Sequence, residues 1–143
     1  MAQDQLFYVG QKAVIEKDGK VLILNIPLIG ADLPGGKIQI GEFDFGISLK
    51  REVLEETGLV VTIREPVTTG YFKFHPRVIK QKKSDYVFIV AYVADYRSGE
   101  VVLSAEHESY LWVSEQDYQT IDDKNGLIKK LLTVYFDKKK TSK

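Results

Sequence analysis

An acidic cluster containing one arginine follows a Pro-Gly-Gly turn at residues 34–36. Three of its glutamates lie three and four positions apart, a spacing that brings their side chains together on a helix. Like charges at this spacing cost roughly 0.2–0.5 kcal/mol each when exposed, and more where the effective dielectric is lower. A divalent cation among them would reverse the sign of that interaction. The residues are Glu42, Arg51, Glu52, Glu55 and Glu56.

Phosphate chemistry is the reaction class that such a cluster indicates. Mg²⁺ and Mn²⁺ are hard cations that prefer oxygen ligands and bridge substrate phosphates. Gly35 and Gly36 have no side chains, so the backbone there can approach a ligand closely. A solvated acidic helix face is the alternative interpretation, but the glycine turn and the embedded Arg51 favour a metal-dependent site.

The spacing resembles the signature of the Nudix hydrolase family, Gly-x5-Glu-x7-Arg-Glu-U-x-Glu-Glu-x-Gly-U, where U is a bulky aliphatic residue. One departure is that eight residues, 43–50, separate Glu42 from Arg51, whereas the family has seven. The second half of the signature is intact, so the spacing of the metal ligands is expected to survive. The matching positions are Gly36, Glu42, Arg51, Glu52, Val53, Glu55, Glu56, Gly58 and Leu59.

The resemblance implies a role for each signature residue. A Mg²⁺ (or Mn²⁺) ion would hold the substrate's diphosphate while a water attacks phosphorus. The implied catalytic glutamates, which are also metal ligands, are Glu52, Glu55 and Glu56, joined by the carbonyl of Gly35. The implied structural residues are Gly36, Glu42, Arg51 and Gly58.

A further catalytic acid is expected outside the signature. In the family the catalytic base varies in position, and Glu106 lies six residues before Trp112. That offset resembles the position of a distal acidic ligand in the MutT branch. We therefore expect Glu106, in preference to Glu108, to act as a metal ligand or catalytic residue, with surface charge as the alternative. His107 is expected at the surface.

The sequence indicates the substrate-binding residues less clearly than the metal ligands. The candidate substrate-binding residues are Tyr8, Phe74, Arg77 and Asn125. Aromatic residues of strands can stack on a base but also pair across strands. The segment around Arg77 is basic and could meet phosphates or be solvated. Asn125 could contact a base, but a cap of the last helix is the favoured interpretation. Ala31 stands where many triphosphatases of the family carry tryptophan.

The function implied is Mg²⁺-dependent hydrolysis of the diphosphate linkage of a nucleoside triphosphate or another nucleoside diphosphate derivative. ADP-ribose or nucleotide-sugar substrates are an alternative within the family. A non-catalytic nucleotide sensor on the same fold and a generic interaction module are the alternatives from other classes. The expected partner is a small nucleotide, and a homodimer is compatible with the sequence.

Composition narrows the class further. The 143 residues carry 20 basic and 20 acidic side chains, so bulk attraction to polymeric nucleic acid or an anionic membrane is not expected. The chain has no cysteine and only two histidines, which excludes disulfides and disfavours a histidine-built zinc site. No apolar run reaches membrane-spanning length and no signal peptide is evident, so a cytoplasmic protein is expected.

The elements that must position these residues follow from hydrophobic patterning. Residues 6–15 and 21–26 flank Asp18-Gly19 and predict a β-hairpin. Asp44 and Gly58 predict the ends of a helix whose inner stripe includes Ile47 and Leu54. Strands are expected at residues 60–64, 67–74, 86–96 and 111–113, and a second helix is expected from about residue 125.

These elements predict an α+β fold with a mixed sheet between helices. The resemblance makes this a Nudix-type α/β/α sandwich with a catalytic loop-helix-loop at residues 35–59. Residues 1–137 are expected to form one domain, and residues 138–143 a basic, disordered tail.

Overall fold

The computed structural model describes residues 2–76 and 83–142. These residues form seven strands, two α-helices and one 3-10 turn. The strands are β1 (Tyr8–Lys17), β2 (Lys20–Ile26), β3 (Gly30–Asp32), β4 (Gly35–Lys37), β5 (Val60–Lys73), β6 (Tyr86–Ser98) and β7 (Ser109–Val113). The helices are α1 (Phe45–Thr57) and α2 (Leu127–Thr141), and the 3-10 turn is Tyr118–Thr120.

The predicted hairpin is confirmed as β1 and β2. Its two turn residues, Asp18 and Gly19, have φ values of 53° and 77°. Positive φ at both central positions is the geometry that matches the right-handed twist of a hairpin, and Asp-Gly is a favoured pair for it. The turn therefore fixes the register in which Lys17 faces Lys20.

A mixed sheet forms the centre of the fold, as predicted. Its strand order is β3-β2-β1-β6-β5, with β4 added to β1 and β7 added to β2. The central pair β1 and β6 is parallel, whereas the other pairs are antiparallel. The strand β4, which the sequence analysis treated as a turn, pairs Gly35 with Lys12 and Gly36 with Gln11.

Each face of the sheet packs against one helix. Alternate residues of β1 point to opposite faces, so Ala13 joins the cluster that contains Leu49 of α1. Val14 joins the cluster that contains Leu131 of α2. Two separate hydrophobic cores result, and the sandwich expected from the sequence is confirmed.

Helix α1 begins and ends where predicted but is rotated relative to the expectation. The Asp44 side chain accepts a hydrogen bond from the Ile47 backbone N–H at 3.1 Å, and Gly58 ends the helix with a φ of 75°. Ile47 and Leu54, predicted on the inner face, are more than half exposed, whereas Val53 is buried. The rotation has a physical reason, because the same turns of the helix direct Glu52 and Glu56 towards the glycine turn.

Two further expectations about the elements are wrong. A single strand, β5, covers the two predicted strands, because irregularities in register between Ile63, Pro66 and Thr68 absorb the proline without breaking the pairing with β6. The predicted disordered tail is largely helical, since α2 continues to Thr141. Its lysines are held, with Lys138 donating to the Val67 carbonyl and Lys140 lying 2.7 Å from Glu115.

Neither of the two helices found in the described part of the chain combines the length and apolar character needed to cross a membrane.

Candidate active site at the glycine turn and helix α1

The two glycines of β4 leave room for close neighbours, a backbone carbonyl at Gly35 and a carboxylate at Gly36. Gly35 has a φ of 149°, and a β-carbon built on it would lie 1.9 Å from the carbonyl oxygen of Gln11. A β-carbon on Gly36 would lie 2.8 Å from Oε2 of Glu52. The absence of a side chain at Gly36 therefore lets the Glu52 carboxylate rest against the backbone of β4.

Arg51 contacts three carboxylates at once. Its Nη2 lies 2.6 Å from Glu42 Oε2 and 3.4 Å from Glu52 Oε1. Its Nη1 donates to both carboxylate oxygens of Glu55, at 3.1 and 3.2 Å. The contacts with Glu42 and Glu55, of which that with Glu42 is the stronger, raise the pKa of Arg51. The guanidinium is thus the cation that balances this part of the acidic cluster.

Glu42 also fastens the loop before α1. It accepts hydrogen bonds from the Gln39 backbone N–H at 2.8 Å and from the Ser48 hydroxyl at 2.9 Å. The Gln39 N–H, followed by Arg51 and Ser48, lowers the pKa of Glu42. The additional residue in the loop therefore does not prevent the pairing of Glu42 with Arg51.

Glu52 and Glu55 differ in their exposure to solvent. The Glu55 side chain is 57% exposed, whereas that of Glu52 is 21% exposed. Burial is the main cause that raises the pKa of Glu52, with Arg51 opposing it. Glu52 is therefore a better proton acceptor than an ordinary surface carboxylate, whereas Glu55 is an exposed carboxylate bound to Arg51.

Glu56 lies inside the protein, against the glycine turn. Its Oε1 accepts a hydrogen bond from the Gly35 backbone N–H at 3.2 Å, and its Oε2 lies 3.5 Å from His107 Nε2. Burial raises the pKa of Glu56 to about 7, although Lys12 and the Gly35 N–H oppose the shift. A buried carboxylate with this environment is stabilised by any additional cation nearby.

The surface position expected for His107 is wrong. Its side chain is only 2% exposed, and burial lowers its pKa. The ring lies in the loop between β6 and β7, which is fixed to the end of α1 by the Ser104 N–H bonding to the Glu56 carbonyl at 3.1 Å. The sequence offered no periodic signal for this contact, because the ring and the carboxylate meet only through that loop.

A cleft of about 790 Å³ lies near Glu56, since its lining includes Lys12 and Asp32, which both influence the pKa of Glu56. Glu106 lines it, whereas Glu108 turns away and accepts a hydrogen bond from Asn25 at 3.4 Å. An ion pair between Lys12 and Asp32, at 3.0 Å and little exposed, lies in its lining. Its apolar lining comprises Ile26, Leu28, Ile29, Ala31, Phe72, Phe74, Pro76, Leu127 and Ile128.

The predicted substrate-binding residues are distributed unevenly around this cleft. Phe74 and Asn125 line it. Tyr8 is one step removed, with its ring centroid 5.9 Å from that of Phe74, and Lys37 lies over both rings. Arg77 lies outside the described residues. The capping role favoured for Asn125 is wrong, because α2 begins at Leu127 with Gly126 as its N-cap.

Sequence reasoning did not identify Lys12 and Asp32 as site residues. Lys12 belongs to the central strand β1 and Asp32 to the short strand β3. The sequence patterns of these strands indicate only strand pairing and burial. The available signal was a charged residue inside an otherwise apolar strand, since a lysine between Gln11 and Ala13 is costly to bury without a partner. Its partner, Asp32, lies on β3, the strand at the edge of the sheet.

The donor chemistry of the site suits a hard divalent cation. Within residues 2–76 and 83–142, no three acidic or histidine side chains already surround a common point. However, Glu52 lies against Gly36, and Glu56 accepts a hydrogen bond from Gly35, so both carboxylates approach the same strand. Glu55 accepts hydrogen bonds from Arg51. Oxygen donors of this kind, one of them buried with a raised pKa, are those that Mg²⁺ and Mn²⁺ accept.

The chain matches the NUDIX domain family over residues 10–133, so it belongs to the Nudix family. Fold and site together define its class as that of the hydrolases acting on phosphoric anhydrides, as the signature predicted.

Solved structures of the same fold support this placement. A Nudix hydrolase from Nitrosomonas europaea is similar with a TM-score of 0.75 and 21% identity, covering 92% of this chain and 90% of that one. The MutT protein from Methanosarcina mazei Go1 is similar with a TM-score of 0.78 and 23% identity, covering 97% and 99%. An ADP-ribose pyrophosphatase from Streptococcus suis 89-1591 is similar with a TM-score of 0.59 and 22% identity, covering 77% and 75%. No curated protein matches the sequence.

Proposed function

We propose that this protein is a Mg²⁺- or Mn²⁺-dependent hydrolase that cleaves the diphosphate linkage of a nucleoside triphosphate or a related nucleoside diphosphate derivative. The observation that carries the proposal is the placement of Glu52 and Glu56 against the two glycines of β4, beside a large cleft. The glutamates would hold the metal, and the cleft would hold the rest of the nucleotide.

The character of the cleft supports a nucleoside as the group attached to the diphosphate. Its lining is mostly apolar, which suits a flat base, and it includes the aromatic ring of Phe74. Lys12 and Lys37 also belong to the lining and would face an anionic substrate. The name of the ADP-ribose pyrophosphatase of similar fold is consistent with this substrate class.

Each residue of the site has a distinct part in the proposed reaction. Glu52, Glu55, Glu56 and the carbonyl of Gly35 would hold the divalent cation. When bound, the cation would supply positive charge to the phosphoryl oxygens and acidify a bound water. Arg51 and Glu42 would hold the loop and α1 in register through their 2.6 Å ion pair.

A water oxygen would form a new bond to phosphorus while the bond from phosphorus to the bridging anhydride oxygen breaks. The proton of that water would pass to a carboxylate, and the departing phosphate would carry away the electron pair of the broken bond. Three carboxylates line the cleft, and two of them are engaged, since Asp32 pairs with Lys12 and Asp123 accepts from the Lys129 N–H. We therefore assign the third, Glu106, as the proton acceptor.

The experiment is a hydrolysis assay of the purified full chain with Mg²⁺ or Mn²⁺. The panel comprises nucleoside triphosphates, ADP-ribose and nucleotide sugars, with chromatography of the products. Release of a nucleoside monophosphate together with pyrophosphate, or with the phosphorylated second half of the substrate, is expected. Lack of turnover across the panel, or equal turnover by Glu56→Gln, would contradict the proposal. Tight nucleotide binding without turnover would instead indicate a sensor.

A further inference from the structure

His107 is buried in contact with Glu56, one of the proposed metal ligands. Its Nε2 lies 3.5 Å from Glu56 Oε2, and its Nδ1 lies 3.3 Å from the Ser104 hydroxyl oxygen. No residue of the Nudix signature supplies this contact. Only 2% of the His107 side chain and 10% of the Glu56 side chain is exposed, so water does not compete freely for either group.

The geometry assigns His107 as a positioning residue for Glu56, and the assignment rests on the proposed metal-dependent function. The Ser104 hydroxyl can donate to Nδ1, which leaves the proton on Nε2 directed at Glu56. The opposite oxygen of the same carboxylate already accepts from the Gly35 backbone N–H at 3.2 Å. The Gly35 N–H on one oxygen and the His107 ring 3.5 Å from the other restrict the orientation of the carboxylate and leave lone pairs for a cation.

The loop that carries His107 is itself rigidly attached to α1 and β2. The Val102 N–H bonds to the Thr57 carbonyl at 2.8 Å, and the Glu108 N–H bonds to the Asn25 carbonyl at 3.0 Å. Between these two attachments, the His107 ring turns inward, while the adjacent Glu106 lines the cleft. One short segment thus carries both His107, which contacts the proposed metal ligand Glu56, and Glu106, the proposed proton acceptor in the cleft.

Polar partners of this kind commonly orient metal ligands, and their removal typically weakens metal binding by about 10- to 100-fold. His107 therefore contributes to metal affinity without touching the metal or the substrate. The neighbouring ion pair of Lys12 and Asp32 stays in place when His107 is changed, because those two side chains hold each other at 3.0 Å.

The test compares His107→Leu with His107→Gln. Glutamine can place an amide N–H near the position of Nε2, whereas leucine fills space without donating. Mn²⁺ binding to the full chain, measured by electron paramagnetic resonance without nucleotide, is expected to weaken about 10-fold or more in His107→Leu. His107→Gln should remain within a few-fold of the parent.

A double-mutant cycle with Glu56→Gln separates positioning from general destabilisation. If His107 acts through Glu56, His107→Leu should cause little additional loss of Mn²⁺ affinity once Glu56 is replaced. Equal losses in the leucine and glutamine variants, an unchanged Mn²⁺ affinity in His107→Leu, or full additivity in the cycle would overturn the assignment. If the parent bound no Mn²⁺, the proposed function itself would fail, and the assignment with it.

Discussion

Arg51 Nη2 lies 2.6 Å from Glu42 Oε2, although one residue more than the Nudix signature allows separates them in the sequence. The additional residue is accommodated in the loop before α1, which begins at Phe45 with Asp44 as its cap. The ion pair therefore holds the loop to the helix, and the same guanidinium reaches Glu52 and Glu55. The relationship explains how one guanidinium holds three carboxylates of the cluster together.

Arg51→Lys is expected to impair the site even though it keeps the positive charge. A lysine ammonium is a point charge and cannot span three carboxylates as the planar guanidinium does. We expect a fall in melting temperature of a few degrees, roughly the range for loss of one modest interaction in a domain of this size. Catalytic efficiency should also fall. Lys50→Arg on the same helix is the control, because Lys50 forms no ion pair with any residue that the structure describes. An unchanged melting temperature and unchanged activity in Arg51→Lys would contradict the role given to the Arg51 guanidinium.

Gly36→Ala tests whether the Glu52 carboxylate needs the open space over β4. The new β-carbon would lie 2.8 Å from Glu52 Oε2, so the carboxylate must move. Since small displacements in an active site can cost about 100-fold in rate, kcat/KM should fall at least 10-fold. Gly46→Ala in α1 is the matched control, because its β-carbon would meet only ordinary contacts at 3.8 Å. Parent-like kinetics in Gly36→Ala would show that Glu52 works elsewhere.

The buried Glu56 predicts a pH dependence of stability in the metal-free protein. Its folded pKa of about 7 exceeds the ordinary value of 4.5, so the folded state binds the proton more tightly than the unfolded state. The associated stability is fully present below pH 4.5 and is lost as the pH rises through about 7, by at most about 3 kcal/mol. Urea unfolding at several pH values in EDTA measures this decline.

Glu56→Gln supplies the control for that pH dependence. The amide cannot titrate, so this contribution to the slope between pH 4.5 and 7 should disappear, and the variant should be more stable than the parent above pH 7. Parallel stability curves for the two proteins across this range would contradict the shifted pKa of Glu56.

Glu106→Gln and Glu108→Gln distinguish the two acids of the loop before β7. Glu106 lines the cleft, while Glu108 contacts Asn25. Loss of a general base typically lowers the rate by about 10² to 10⁴-fold, so kcat of Glu106→Gln should fall in that range. Glu108→Gln should retain kcat within about a factor of two. A larger effect at Glu108 would reverse the assignment of the proton acceptor.

Sequence reasoning performed best where the determinants are local. Aspartate is a favoured helix cap and glycine readily adopts the left-handed conformation, so Asp44 and Gly58 predicted the two ends of α1. Asp18-Gly19 likewise predicted the hairpin turn. The signature glutamates were also found, because three- and four-residue spacing on one helix is visible in the sequence. Local rules explain this part of the fold and of the site.

Contacts that depend on the path of a distant loop were missed. His107 meets Glu56 only because the loop after β6 returns along the end of α1. Lys12 meets Asp32 only through the register of the sheet, since each belongs to a different strand. The rotation of α1, which exposes Ile47, likewise follows from where β4 lies, and a helical stripe alone does not specify it.

The dependence of hydrolysis on the divalent cation, in the parent and in Glu56→Gln, tests the central claim most directly. With the best substrate of the nucleotide panel, the account predicts turnover that saturates with Mg²⁺, is abolished by EDTA, and falls by orders of magnitude in Glu56→Gln. Turnover that persists in EDTA, or a Glu56→Gln variant as active as the parent at every Mg²⁺ concentration, would contradict it.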